Sequence, residues 1–505
     1  MMKRSKYDKA SQKGDILLTV LVFAAITITV TIGLVNWGAT MLASIRNIKA
    51  KEQAFQIAEA GVDYYRWHLA QYPTDYRDGT TTPQPYIHQF YNRDGDLLGT
   101  YSLTITAPLV GSTLVKIVSK GTASSTPPVS RSIEAVMAIP SFAKFAVVAN
   151  DNMRFGEGTE VFGPIHSNKG IRFDGVAHNL ISSALTTYTD PDSGSCTTNN
   201  SWAVHTCVTP NADPASPSTI SSRPDIFLAG RQFPVPSVDF AGLISGLTQL
   251  QTLARNGGKE WASSNAEGYH IVFNTNNTYS LYKVNGRESI AGSCTSNSGG
   301  TGQWGSWSIQ SPISSNQTAV KTSGSNVYSI PSNGVIFFND DVWVDGTIDG
   351  SRVTVVAAII GETNPDNYVN ITVNNDLKYT HFDGTDVIAL IAQNNINAGL
   401  VSDDNLEIDA ALVAENGRVG RYYYDDSCGS NYVRSTLTLN GMIASSIRYG
   451  FAYTGSKYNC GGSVGMTGGG YCVRNIIYDG NLLYGPPPSF PLATSQYQLI
   501  SWKEI

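Results

Sequence analysis

The sequence predicts a mainly β protein hung on one long N-terminal helix, transmembrane and then amphipathic. A small antiparallel sheet follows, and then a right-handed parallel β-helix, a solenoid interrupted by insertions. Three observations carry this. Between Asp15 and Arg46 there is no charged residue, a gap wide enough for a helix of about 20 apolar residues to cross a bilayer. Beyond it, Ile48, Phe55, Val62 and Leu69 recur every seven residues with Ala58 and Tyr65 between them, which places all six on one helical face. The C-terminal third then breaks into short apolar runs separated by Asn, Asp and Gly turns, the pattern of coils that shield one another's cores.

In order along the chain, residues 1–14 form a basic leader (Lys3, Arg4, Lys6, Lys9, Lys13) ending at Gly14. That charge bias places the N-terminus in the cytoplasm and sends the bulk of the chain outward. The helix over 15–72 is membranous at about 16–37, with Trp37 as the interfacial anchor, and Pro73, Asp75, Asp78 and Gly79 stop it. Within 73–140, Tyr101 to Thr106, Thr113 to Val118 and Ser130 to Ala138 read as strands. Three strands need a cover for their apolar face, and the end of the helix supplies it.

Residues 141–330 read as the first part of the β-helix. A helix from about Val238 to Ala254 ends at Gly257-Gly258, and the polar insertions at 187–222 and 291–326 read as surface loops, with Trp304 and Trp307 as packing anchors. In 331–505, Val335 to Phe338, Val353 to Ala358 and Val387 to Ala392 are unbroken apolar runs, as strands buried on both faces are. A β-sandwich, with longer and more evenly spaced strands, is the alternative. The stretch from Tyr478 through Pro486-Pro487-Pro488 to Trp502 reads as a capping strap over the last coil.

With 505 residues, 15% of them charged, and a net charge of -6, the composition suits a β-rich extracytoplasmic protein and excludes a broadly basic nucleic-acid surface. The six cysteines suit a few local disulfides. Cys196 and Cys207 flank one polar loop and Cys460 and Cys472 flank another, so each pair is a candidate staple; whether Cys294 meets Cys428 stays open. No two cysteines have CxxC spacing and the histidines do not cluster with them, so neither a metal nor a cofactor is expected.

The leader ending in Gly14, the apolar segment starting almost at once, and the continuation Gln56-Ile57-Ala58-Glu59-Ala60-Gly61-Val62 resemble the N-terminus of type IV pilin-like proteins. The likeness is to the minor-pilin group with a PilX-like start, whose AEAG segment matches Ala58 to Gly61. The segment Ile165-His166-Ser167-Asn168, the run Val387 to Gln393 and the proline-rich ending are similar to the large β-helix heads of that group. The resemblance implies cleavage by a prepilin peptidase after Gly14, with Asp15 as the new, methylated N-terminus. It also implies packing of Thr19, Phe55, Ala58, Glu59, Gly61 and Val62 in a filament core. The implied partners are other pilin-like subunits, the inner-membrane assembly machinery and membrane lipid; the surface ligand is unknown, with a glycan or DNA as the open possibilities. One departure matters: major pilins carry a glutamate at the fifth mature residue, and here that residue is Thr19. Thr19 cannot pair with a neighbouring subunit's amino group as a carboxylate would, which points to a minor component.

Candidates for chemistry are few. Asp340, Asp341, Asp345 and Asp349, or Asp403, Asp404 and Asp409, could form the clustered acids of a polysaccharide-active site; turn aspartates that cap backbone N–H groups explain the same spacing. His166 beside Asn168 reads as a hydrogen-bonded turn. Arg352, Arg418, Arg421 and Arg434 could assemble a local basic patch. The sequence therefore predicts a non-enzymatic minor pilin-like protein for assembly, adhesion or DNA uptake. A signal-anchored β-helix surface protein, an adhesin or a polysaccharide-active enzyme, is the alternative.

Overall fold

The computed structural model describes residues 12–192, 201–209, 222–240, 246–288, 294, 309, 316–461 and 465–505. The leader to residue 11, Cys196, Trp304 and Trp307 lie outside them. The chain divides into two compact units: residues up to 107 with 115–137 and 499–505, and residues 108–114 with 138–498.

In the first unit, helix α1 (Gln12–Gln71) is continuous. β1 (Tyr86–Tyr91), β2 (Leu97–Thr106), β3 (Val115–Ala123) and β4 (Val129–Ala138) pair antiparallel in chain order. Their alternation buries Leu103, Ile105, Ile117, Ile133 and Ala135, the period-2 face that a half-covered sheet requires, and α1 packs on β2 and β3. The strand Gln498–Glu504 lies beside β4 at the sheet's edge. This corrects the capping reading of the ending: Trp502 lies edge-to-face on Phe55 at 5.8 Å, and Lys503 pairs with Glu134 at 2.8 Å.

The second unit is a large mixed sheet of mostly short strands. Its longest ladder is parallel throughout. From one end it runs Lys259–Trp261, Val335–Phe338, Arg352–Ala357, Val387–Ala392, then the last halves of Asn405–Ala414 and Val433–Ser445. It continues through Val147–Ala149, Ile165–Ser167 and Ile181–Ser183 to Arg231–Gln232. A second parallel ladder joins Gly268–Asn274, Val342–Ile348, Leu377–Tyr379, the first halves of Asn405–Ala414 and Val433–Ser445, Met466–Tyr478, Thr159–Phe162 and Val176–Ala177. A shorter parallel set in the same sheet joins Ile371–Thr372, Ile396–Ala398 and Val419–Arg421, while Met153–Phe155, Ile171–Phe173 and Val204–His205 pair parallel in a separate three-stranded sheet. Strands such as Thr278–Val284 and Ala452–Asn459 add antiparallel partners.

The ladders do not follow chain order. The chain starts in the middle at Val147, builds outward to Gln232, and crosses to the opposite end at Lys259. It then builds back until Val433–Ser445 and Met466–Tyr478 meet Val147–Ala149 and Thr159–Phe162. The crossing segment is tied down at Asn168, whose side chain accepts from the Val238 N–H and donates to its carbonyl, each at 2.8 Å. It ends in helix α2 (Leu247–Arg255), within and just past the helix expected from about Val238 to Ala254; residues 241–245 of that span lie outside the described residues. The ladder strands latest in the chain are therefore internal, and the proline-rich stretch covers a face instead of an end. Leu482 and Phe490 join Leu250 and Ala254 of α2 against Val356, Ala389, Val413 and Ala444, while the other face of the same strands fills the main core with Val355, Leu390, Leu412 and Ile443. Burial on both faces explains the unbroken apolar runs. The polar insertion at 187–222 is also more than a surface loop: Val204 and His205 are fully buried, in a strand parallel to Ile171–Phe173.

Candidate functional site: helix α1 and its seat on the sheet

The stretch from Ile16 to Gln71 contains a window of mean hydropathy 2.5, none of it buried in the protein. Among the described residues, one helix is thus long and apolar enough to cross a membrane. Thr19 lies exposed within it, and Gly14 and Asp15 lie in its first turn. The thread of exposed apolar side chains extends to Ile48, 60% exposed; the predicted seven-residue stripe therefore begins one repeat late.

The buried face starts at Ala50 and continues through Ala54, Ile57, Ala58, Val62, Tyr65, His68 and Leu69, the spacing of one stripe on a 3.6-residue helix. Two glycines set its closeness. A Cβ on Gly61 would stand 2.3 Å from the Ser119 Oγ and 2.9 Å from the Tyr101 ring. On Gly121 of β3 a Cβ would stand 2.1 Å from the Ala54 carbonyl oxygen and 2.4 Å from the Ala58 nitrogen, so helix backbone rests directly on strand backbone. Ala58 and Gly61 are thus needed for packing within this chain. Phe55 is half-buried between Trp502 and the Arg131 guanidinium, 5.3 Å from its ring centre; Glu59 is partly exposed beside it.

The helix end is held by Asp75. Its carbonyl accepts from the Tyr65 hydroxyl at 3.0 Å, and its carboxylate meets the His68 ring at 3.0 Å and the N–H groups of Arg77 and Gly79. Burial alone would raise this carboxyl; those N–H groups and the histidine outweigh it and hold it below the ordinary range.

The acidic residues weighed for catalysis are occupied separately. Asp340 accepts from Ser264 N at 2.6 Å, Asp341 from Asn370 N at 2.6 Å, Asp404 from Ser435 N at 3.0 Å, and Asp409 from Tyr379 N at 2.9 Å. Burial pushes Asp409 up to about 6. Asp345 meets His270 at 2.9 Å and Asp349 meets His381 at 3.4 Å, while Asp403 is exposed. His166 lies between Ser182 Oγ and Asn168 Oδ1 and stacks on Phe145, and burial lowers its pKa.

The four arginines do not share one surface. Arg352 donates to the carbonyls of Val110, Gly485 and Pro486. Arg421 is fully buried, donating to Leu400 and Asn431 carbonyls beneath Tyr424 and Tyr471. Arg418 lies over Tyr422, and Arg434 donates to the Leu400 carbonyl.

Cys460 is bonded to Cys472, and Cys294 to Cys428 across 134 residues; Cys207 is also in a disulfide. Two groups of potential metal ligands come together among the described residues. One contains Cys207, whose sulfur is thereby engaged; in the other, Asp349 and His381 meet Asp386, whose carboxylate already accepts from Ser351 N, Thr380 N and His381 N.

Neither a family model nor a curated protein matches this sequence. Among solved structures, the competence-associated pilin ComZ from Thermus thermophilus is similar over 90% of this chain and 97% of its own, at 13% identity and a TM-score of 0.31.

Proposed function

We propose that the protein is a minor pilin-like subunit: α1 anchors it in the membrane and packs with neighbouring subunits, and the second unit is a right-handed parallel β-helix presented outside. The observation that carries this reading is the double use of one uninterrupted helix. Its first half is apolar and uncovered, and its second half is the spine of a small antiparallel sheet. A free-standing signal anchor has no need to run on as the core of a folded unit. Thr19, where a filament-forming carboxylate would sit, assigns it to a minor position. The core shared by the parallel ladders supports the solenoid. Its partners are pilin-like subunits, the membrane assembly machinery and prepilin peptidase, and a glycan or DNA is the ligand of the head. Incubation with prepilin peptidase in lipid is expected to yield a chain beginning at Asp15, and Gly14→Val to block it. An uncut wild-type chain would leave a signal-anchored surface protein instead.

A further inference from the structure

Over the apolar outer face of the longest ladder, between α2 and the proline-rich strap, lies a cavity of about 410 Å³, within the range of small-molecule sites. Its walls are hydrocarbon: Phe142, Leu250, Leu253, Ile391, Val413 and Phe490. Gln249 and Ser489, both exposed, mark its mouth. One ionisable group lines it. Glu415 follows the strand Asn405–Ala414, its N–H bonded to the Ala392 carbonyl, and the residue is 3% exposed. Among the described residues no side chain or backbone group bonds its carboxyl, and no charge acts on it. Burial is the one influence on its titration, and it pushes the group up to about 9. The carboxyl oxygens are not themselves sealed from solvent, but ionising a group this far withdrawn from bulk water is costly, and a ligand that supplies a donor and a charge relieves that cost.

We propose that this cavity binds a small apolar amine, an alkyl- or arylammonium, whose charged head pairs with the Glu415 carboxylate while its hydrocarbon fills the Leu250–Phe490 walls. The unliganded carboxyl is protonated at neutral pH and the bound one is ionised, so binding releases one proton. Affinity then rises with pH up to the carboxyl's own titration, by about tenfold per pH unit. Among the described residues no other titratable side chain lines the cavity, so the slope belongs to Glu415.

The test uses the full chain in detergent, with hexylamine and hexanol as probes, by calorimetry between pH 6.5 and 8.5. Hexylamine is expected to tighten about tenfold per pH unit, with hexanol flat and weaker. Glu415→Gln should abolish the slope and make the two probes equivalent. Leu250→Trp, which fills the cavity, should remove binding of both and controls for uptake into the detergent. The proposal is overturned if hexylamine fails to bind, if it binds the wild type no better than hexanol at pH 8.5, or if the slope survives in either variant.

Discussion

Gly121 and Gly61 are where single atoms decide whether α1 can lie on its sheet. The pair differs in visibility. Gly61 sits in the helical AEAG segment and stands out in the sequence, whereas Gly121 is one glycine in a strand, and nothing near it announces that a helix backbone arrives 2.1 Å from its missing Cβ. Gly121→Leu must push the helix off β3 at an overpacking cost of about 3 kcal/mol. Calorimetry of the full chain should show the melting of the first unit lowered by about 10 °C or more, while Lys120→Ala, at the neighbouring exposed position, leaves it in place. An unchanged transition in Gly121→Leu would mean that the helix is seated differently. Thr19, His166 and the turn aspartates belong to this scale too, and most of their roles follow from residue type alone: a short polar side chain in a turn caps the nearest N–H groups. Glu415 does not, because a glutamate's burial depends on which segments cover it.

At the scale of elements, the helix, three of the first sheet's strands and most of the strands after Val335 follow from periodicity, since α1 changes from all-apolar to one-faced without a breaker and the strands are bounded by Gly, Asn and Asp. What periodicity could not supply is a partner. The strand Gln498–Glu504 has an ordinary exposed pattern, and only its pairing beside β4 shows it to be part of the first unit. The disulfides divide in the same way: Cys460 and Cys472 close a loop visible in the sequence, while Cys294 and Cys428 meet across 134 residues. In the chain-entropy picture the long loop contributes about 5 kcal/mol and the short one about 3. Replacing Cys294 and Cys428 by Ala should therefore lower the melting temperature more than replacing Cys460 and Cys472, measured by calorimetry in parallel. A larger loss from the short loop would contradict the entropic account.

For the whole molecule, the chain builds from the middle to one end, crosses, and builds back, so its last ladder strands are internal. Deleting residues from Met466 onward should then unzip the centre, because Val433–Ser445 and Thr159–Phe162 lose the strand they share. Hydrogen exchange is expected to show protection lost at Thr159–Phe162 and Val147–Ala149 as well as at Val433–Ser445, as a cooperative unit would. Protection lost at Val433–Ser445 alone would indicate a stack in simple chain order.

By itself the sequence determined the local matters: the uncharged stretch long enough for a membrane, the helix that continues past it, the β texture and the turns. Each depends on neighbours a few residues apart, where side-chain period and turn chemistry act directly. The tertiary structure alone decided the order in which the strands stack in their ladders, the seat of the terminal strand, the buried role of Arg421 and the placing of the Glu415 carboxyl against a cavity. Those depend on which distant segments share an edge or a face. Parallel ladders built of similar short apolar strands satisfy the same hydrogen bonds in many orders, so only the packed core selects one.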